Sequence, residues 1–219
     1  METRELAVAG ALEVALPVFP DRRGSFRPLY EEADWSALPG VPPFRAVRSG
    51  LSVNRAGVVR GVHYAVPGRD GAPATAKLVV CVAGEALDLV VDVRAGSPTF
   101  GRHDTVRLTA DADRTRAVYC PPGIGHAFAA RTEGTVLLYL LSTPYRPADE
   151  SAVSVLDPAL GLPLPRRPEP VLSDADRAAP TLAEALDRGL LPAYRPPATT
   201  VAQAGSATGS VTGSRRNGT

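Results

Sequence analysis

Of the 24 basic side chains in this sequence only one is a lysine, Lys77. Arginine keeps its proton inside a protein, whereas a lysine amine is compact and its charge is tunable. A chain that favours arginine everywhere else and keeps lysine here singles out Lys77 as a candidate for chemistry. His63 and Tyr139 are singled out by pattern. If Val58–Tyr64 is a strand, Val59, Gly61 and His63 share a face; if Thr135–Leu141 is one, Leu137, Tyr139 and Leu141 do. Both polar rings would then lie among apolar neighbours and need partners. A barrel interior that is half packed core and half ligand site has this texture. The sequence has three histidines, His63, His103 and His126, and no His-x-His pair, so an assembled metal site is not expected. Cys81 and Cys120 each sit in an apolar run and read as buried thiols, since two cysteines build neither a disulfide framework nor a metal cluster.

Positioning such residues falls to short strands. Residues 57–143 read as Val58–Tyr64, Lys77–Val82, Ala86–Val93, Thr105–Leu108, Arg116–Cys120, His126–Ala130 and Thr135–Leu141. Gly/Pro-rich turns separate them, among them Pro67-Gly68-Arg69-Asp70-Gly71 and Pro121-Pro122-Gly123. Many short strands with no helix between them predict an all-β sandwich, jelly roll or barrel. In Ala86–Val93, alternation puts Leu87, Leu89, Val91 and Val93 on one face and Asp88, Val90 and Asp92 on the other. Short helices are expected near Glu31–Leu38 and Pro180–Arg188, with Pro180 in the first turn of the second and Gly189 as its stop. From Pro196 the chain is Ala/Thr/Ser/Gly-rich without aromatic residues. The expected organisation is one domain over 1–195 and a disordered tail over 196–219.

Composition narrows the class of function. A length of 219 residues, 44% hydrophobic and 21% charged, suits a single globular domain with a sizeable core. A net charge of +1 offers no broad basic surface for nucleic acid or an anionic membrane, so any phosphate site must be local. No apolar run approaches the roughly 20 residues that span a bilayer. Met1–Leu6 carries Glu2 and Glu5 and lacks the layout of a signal peptide, which points to the cytoplasm.

Several segments in order resemble one family. Asp21-Arg22-Arg23-Gly24-Ser25-Phe26 and Arg60-Gly61-Val62-His63-Tyr64 are similar to the opening motifs of the dTDP-4-dehydrorhamnose 3,5-epimerases. Ala76-Lys77-Leu78-Val79, Asp88-Leu89-Val90-Val91-Asp92-Val93-Arg94, Gly96-Ser97-Pro98-Thr99-Phe100-Gly101 and Pro122-Gly123-Ile124-Gly125-His126-Ala127-Phe128 continue the match. Tyr139, Tyr145 and Leu172-Ser173-Asp174-Ala175-Asp176 complete it. The texture is closest to the branch that serves antibiotic glycosylation. The resemblance implies a cupin-type β jelly roll with short C-terminal helices. It also implies a homodimer and an isomerase that epimerises a dTDP-4-keto-6-deoxyhexose without cofactor or metal.

A ketone at sugar C4 acidifies the protons on C3 and C5, so the resemblance also implies roles. His63 looks like the base and Asp176 like the carboxylate that orients it. Lys77 resembles the cation beside the C4 oxygen, and Tyr139 the acid that returns a proton on the opposite face. Arg23 and Arg60 are expected at the diphosphate. Tyr145 with Phe19 or Phe26 is expected at thymine, and His126 and Asp88 resemble pocket residues. One base and one acid serve C3, C5 or both. Alone, each residue also has a plainer reading: a core histidine, a helix-opening aspartate, a surface lysine, a core tyrosine, solvated arginines.

The sequence departs from the family where Arg48 and Gly50 replace the two amides of a common Gln-x-Asn-x-Ser. It departs again where Pro28 replaces a glutamate and Ala175 a lysine. A nucleotide-sugar 3,4-ketoisomerase and a non-catalytic sugar-nucleotide-binding cupin are the rival readings. The first lacks this ordered motif set. The second is opposed by His63, Lys77, Tyr139 and Asp176 occurring together.

Overall fold

The computed structural model describes residues 1–38, 41, 43–110, 114–165 and 169–196. The strands are β1 (Glu2–Glu5), β2 (Leu12–Leu16), β3 (Phe19–Asp21), β4 (Gly24–Phe26), β5 (Arg48–Asn54), β6 (Val59–Ala65) and β7 (Lys77–Ala83). They continue with β8 (Glu85–Val91), β9 (His103–Thr109), β10 (Thr115–Cys120), β11 (Gly125–Ala130), β12 (Thr135–Leu141) and β13 (Glu150–Ala152). The helices are short: α1 (Glu32–Ser36), α2 (Asp174–Arg177) and α3 (Leu182–Asp187).

One sheet runs β1-β2-β10-β7-β12-β5 and the other β13-β6-β11-β8-β9. Within them, β5 to β12 interleave as β5-β12-β7-β10 and β6-β11-β8-β9, the strand order of a jelly roll built from two Greek keys. The expected cupin-like architecture is therefore present. β1 and β2 widen one sheet and β13 the other, while β3 and β4 form a separate hairpin.

Alternation along these strands sorts residues into three apolar layers. Between the sheets lie Val79, Cys81, Val118, Leu137, Val90 and Phe128. The outer face of the second sheet buries Val62, Tyr64, Leu89 and Val91 under the C-terminal segment, including Leu160, Leu182 and Ala185. The outer face of the first sheet buries Leu78, Val80 and Tyr119 against Trp35 and Phe44. Both cysteines are buried.

Two expectations need correction. Val59, Gly61 and His63 do not share a face. Ladder partners are His126 with His63 but Phe128 with Arg60, so two steps on β11 match three on β6. The extra residue is a β-bulge, and it puts Arg60 and His63 on the interior side while Val59, Val62 and Tyr64 face outward. Gly61 sits in the bulge with φ +122, and a Cβ there would stand 2.5 Å from the Ala127 Cβ and 2.6 Å from the His126 carbonyl oxygen. The second correction concerns α3. Thr181, not Pro180, opens it: its hydroxyl accepts from the Glu184 N–H and the Glu184 side chain accepts in return, a full capping box. Gly189 follows the C-cap with φ +64, as a helix stop requires. The aspartate-rich segment forms a short helix of its own, α2, ahead of α3, with Asp176 in its first turn. The expected tail falls almost wholly on residues 197–219, outside those described. Among the described residues no helix is long and apolar enough to cross a membrane.

Candidate active site

A cavity of about 600 Å³ opens between the sheets at the end where β6, β7, β12 and β5 converge. His63, Lys77, Tyr139, Arg60, His126 and Asp176 all line it. The first sheet supplies Lys77 from β7 and Tyr139 from β12; the second supplies His63 from β6 and His126 from β11. Histidine and tyrosine thus approach one space from two walls.

Asp176 reaches that space through a local design. Val171 pairs with Val58 in a parallel bridge, which lays the following residues beside the start of β6. Ser173 caps α2 by accepting from the Asp176 N–H at 3.1 Å and donates its own hydroxyl to Asp176 Oδ2 at 2.9 Å. The other carboxylate oxygen, Oδ1, lies 2.6 Å from His63 Nε2. Asp176 is buried, whereas the His63 side chain is 44% exposed toward the cavity. With Nε2–H donating to Asp176, Nδ1 carries the lone pair. Desolvation by the cavity wall pulls the His63 pKa below its ordinary value, against the upward pull of the Asp176 bond and charge.

Lys77 is buried and its ammonium donates to the His63 carbonyl oxygen at 3.2 Å. Burial lowers its pKa, with the Glu150 charge opposing. Burial raises the Tyr139 phenol well above its usual range, with a bond to the Ser52 side chain opposing. Tyr139 therefore keeps its hydroxyl proton, while burial favours a neutral His63 with Nδ1 free, the division of labour that acid and base need. Behind them His126 Nε2 lies 2.7 Å from the buried Asp88 Oδ2, and the His126 ring meets Tyr139 edge-on at 6.0 Å. Arg60 is anchored by its Nε donating to Asn54 Oδ1 at 2.9 Å. Among the described residues no group of three or more His, Cys, Asp or Glu side chains could hold a metal ion.

Residues 5–184 match the family model described as dTDP-4-dehydrorhamnose 3,5-epimerase. The chain belongs to this family. It is 43% identical over 195 residues to a dTDP-4-dehydrorhamnose 3,5-epimerase of Mycolicibacterium smegmatis, covering 89% of this chain and 92% of that protein. The fold matches a 4-keto-6-deoxy sugar epimerase from the novobiocin biosynthetic gene cluster of Streptomyces spheroides, with TM-score 0.80, 41% identity and coverage of 89% and 94%. It also matches a 3'-monoepimerase from Streptomyces bikiniensis in complex with dTDP-quinovose, with TM-score 0.79, 41% identity and coverage of 87% and 93%.

In this epimerase-family chain the residues expected at the site divide into two groups. His63, Lys77, Tyr139, Asp176, Arg60, His126 and Tyr145 line the cavity, and Asp88 stands directly behind His126. Arg23, Phe19 and Phe26 do not line it. They lie on the β3–β4 hairpin, with Phe19 and Phe26 exposed and Arg23 paired with Asp21 at 2.6 Å. Sequence reasoning gave no role to Ser52, Phe128 and Glu150, which also line the cavity. Period-two alternation from Tyr139 across to its ladder partner Gly50 could have found Ser52. Glu150 sits in a three-residue strand too short to show a period.

Proposed function

We propose that this chain is a cofactor-independent epimerase of a dTDP-4-keto-6-deoxyhexose, acting at C3, C5 or both, in deoxysugar biosynthesis for a glycosylated natural product. One observation carries the reading: a carboxylate-backed imidazole and a protonated phenol enter one cavity from facing sheets, and the β7 lysine lines the same cavity. His63 Nδ1 removes the proton from the carbon beside the ketone. The freed electron pair moves onto the C4 oxygen as an enolate, which the Lys77 ammonium stabilises. The Tyr139 hydroxyl then gives its proton to the opposite face of the carbon, and solvent restores both residues. Asp176 fixes the tautomer of His63 and stabilises its protonated form. Arg60 faces the diphosphate, Tyr145 flanks thymine, and His126 with Asp88 behind it holds the wall beside Tyr139.

The reading extends to a cytoplasmic homodimer in which the hairpin residues Arg23, Phe19 and Phe26 complete the partner's site. Their exposure is its support, since two phenylalanines 57% and 71% exposed on one small hairpin are costly in water. The decisive experiment is incubation with dTDP-4-keto-6-deoxyglucose in deuterium oxide, reading label at C3 and C5 by NMR. Exchange at one or both carbons is expected. No label at either carbon, with substrate bound, would defeat the proposal.

A further inference from the structure

The cations of the cavity are not equally committed. Lys77 donates to the His63 carbonyl and Arg60 to Asn54. Arg48, at the start of β5, lines the same cavity and makes no ion pair among the described residues. Its Nε–H is buried and donates to no protein atom. The guanidinium is nevertheless held in place, 4.9 Å over the ring of Tyr145. A flat cation resting on an aromatic platform with an unspent donor is a prepared site for a hydrogen-bond acceptor.

Its position says which acceptor. Arg48 and Lys77 are both ladder partners of Leu141, one on each side, so all three project to the cavity from one row. Two strand spacings, about 10 Å, separate their backbones. With Lys77 at the C4 oxygen and Tyr145 at the base, Arg48 stands where the link between sugar and nucleoside must pass. Two positions along β5 is Gly50, the ladder partner of Tyr139. Its φ is not left-handed and a Cβ there would meet nothing within 4 Å, so neither backbone nor packing asks for glycine. Its missing side chain leaves the strand open beside Arg48.

We propose that Arg48, standing where the family commonly has an amide, is a substrate-binding residue of this chain that donates to a phosphate oxygen of the nucleotide diphosphate. The inference rests on the proposed function, and its test separates the two. dTDP and thymidine would be titrated into the wild type, Arg48→Gln and Arg48→Lys at low and high salt. Arg48→Gln should weaken dTDP roughly tenfold, the scale of one charge-assisted hydrogen bond, and leave thymidine unchanged. Its dTDP affinity should also depend less on salt. Arg48→Lys should fall between, keeping the charge and losing the fork. In turnover the loss should fall on KM rather than kcat. Unchanged thymidine affinity reports an intact site. Equal dTDP affinity in the wild type and Arg48→Gln overturns the inference alone, as does a fall in kcat with dTDP affinity untouched. A wild type that binds no dTDP overturns the proposed function and this inference with it.

Discussion

At His63, the base of the proposed mechanism, two opposing influences act on the imidazole. Burial lowers its pKa below 6.5, and Asp176 limits the fall. A base works in its neutral form, so kcat/KM should hold as pH falls through 6.5 and decline only below it. Removing the carboxylate charge in Asp176→Asn should move that acid limb lower still while cutting the rate, because the imidazolium loses its partner. His63→Asn should abolish carbon–hydrogen exchange, by on the order of a thousandfold, and leave dTDP affinity nearly intact. Wild-type exchange in that variant would remove His63 from the mechanism. In the proposed mechanism a change at Tyr139 separates proton removal from proton return. Tyr139→Phe keeps the base and Lys77, so the enolate still forms and His63 can return a deuteron to the original face. Label should enter the starting sugar with retention, and little inverted product should appear. Lys77→Ala should slow exchange itself. Equal loss of exchange and inversion in Tyr139→Phe, with substrate bound, would show that the phenol takes part in proton removal.

The strands decide whether those residues meet, and legibility differed among them. β12 was readable because its register runs unbroken from Leu137 to Leu141, so every second residue keeps its face, and Leu137, Tyr139 and Leu141 all face inward. β8 was readable for the same reason, and Asp88 does point between the sheets toward His126. β6 was not. Its bulge inserts one residue at Arg60–His63, and simple alternation then places the wrong partners beside His63. β2 is not legible in the same way, because Leu12–Leu16 is buried at nearly every position and shows no period. The bulge yields a prediction at this scale. Gly61→Ala would press a methyl into the β11 backbone at a left-handed φ. Urea unfolding should show a loss of about 3 kcal/mol. Exchange should fall with it, because His63 is two residues away on the displaced strand. A fully stable, fully active variant would mean the strand pair yields there at no cost.

For the molecule as a whole, one pair of exposed apolar side chains lies on a sheet edge. Leu51 and Val53 on the outward face of β5 are 65% and 70% exposed, and β5 is the free edge of its sheet. An unpaired, apolar edge strand invites a second chain. Sedimentation at micromolar concentration should find a dimer. Leu51→Asp combined with Val53→Asp should shift it toward monomer and lower activity with it, since the hairpin of one chain would no longer serve the other. A wild-type monomer with full activity would refute that assembly.

His63 and Asp176 are separated by 113 positions, and the second arrives only with the segment that also roofs the outer sheet. During synthesis the barrel strands leave the ribosome well before α2 does. A nascent or truncated chain ending near residue 165 would carry every strand of the barrel, Lys77 and Tyr139 included, and a histidine with no carboxylate behind it. On the proposed mechanism the carboxylate behind His63 arrives only after every barrel strand, so activity would report that the segment carrying α2 has been made and docked.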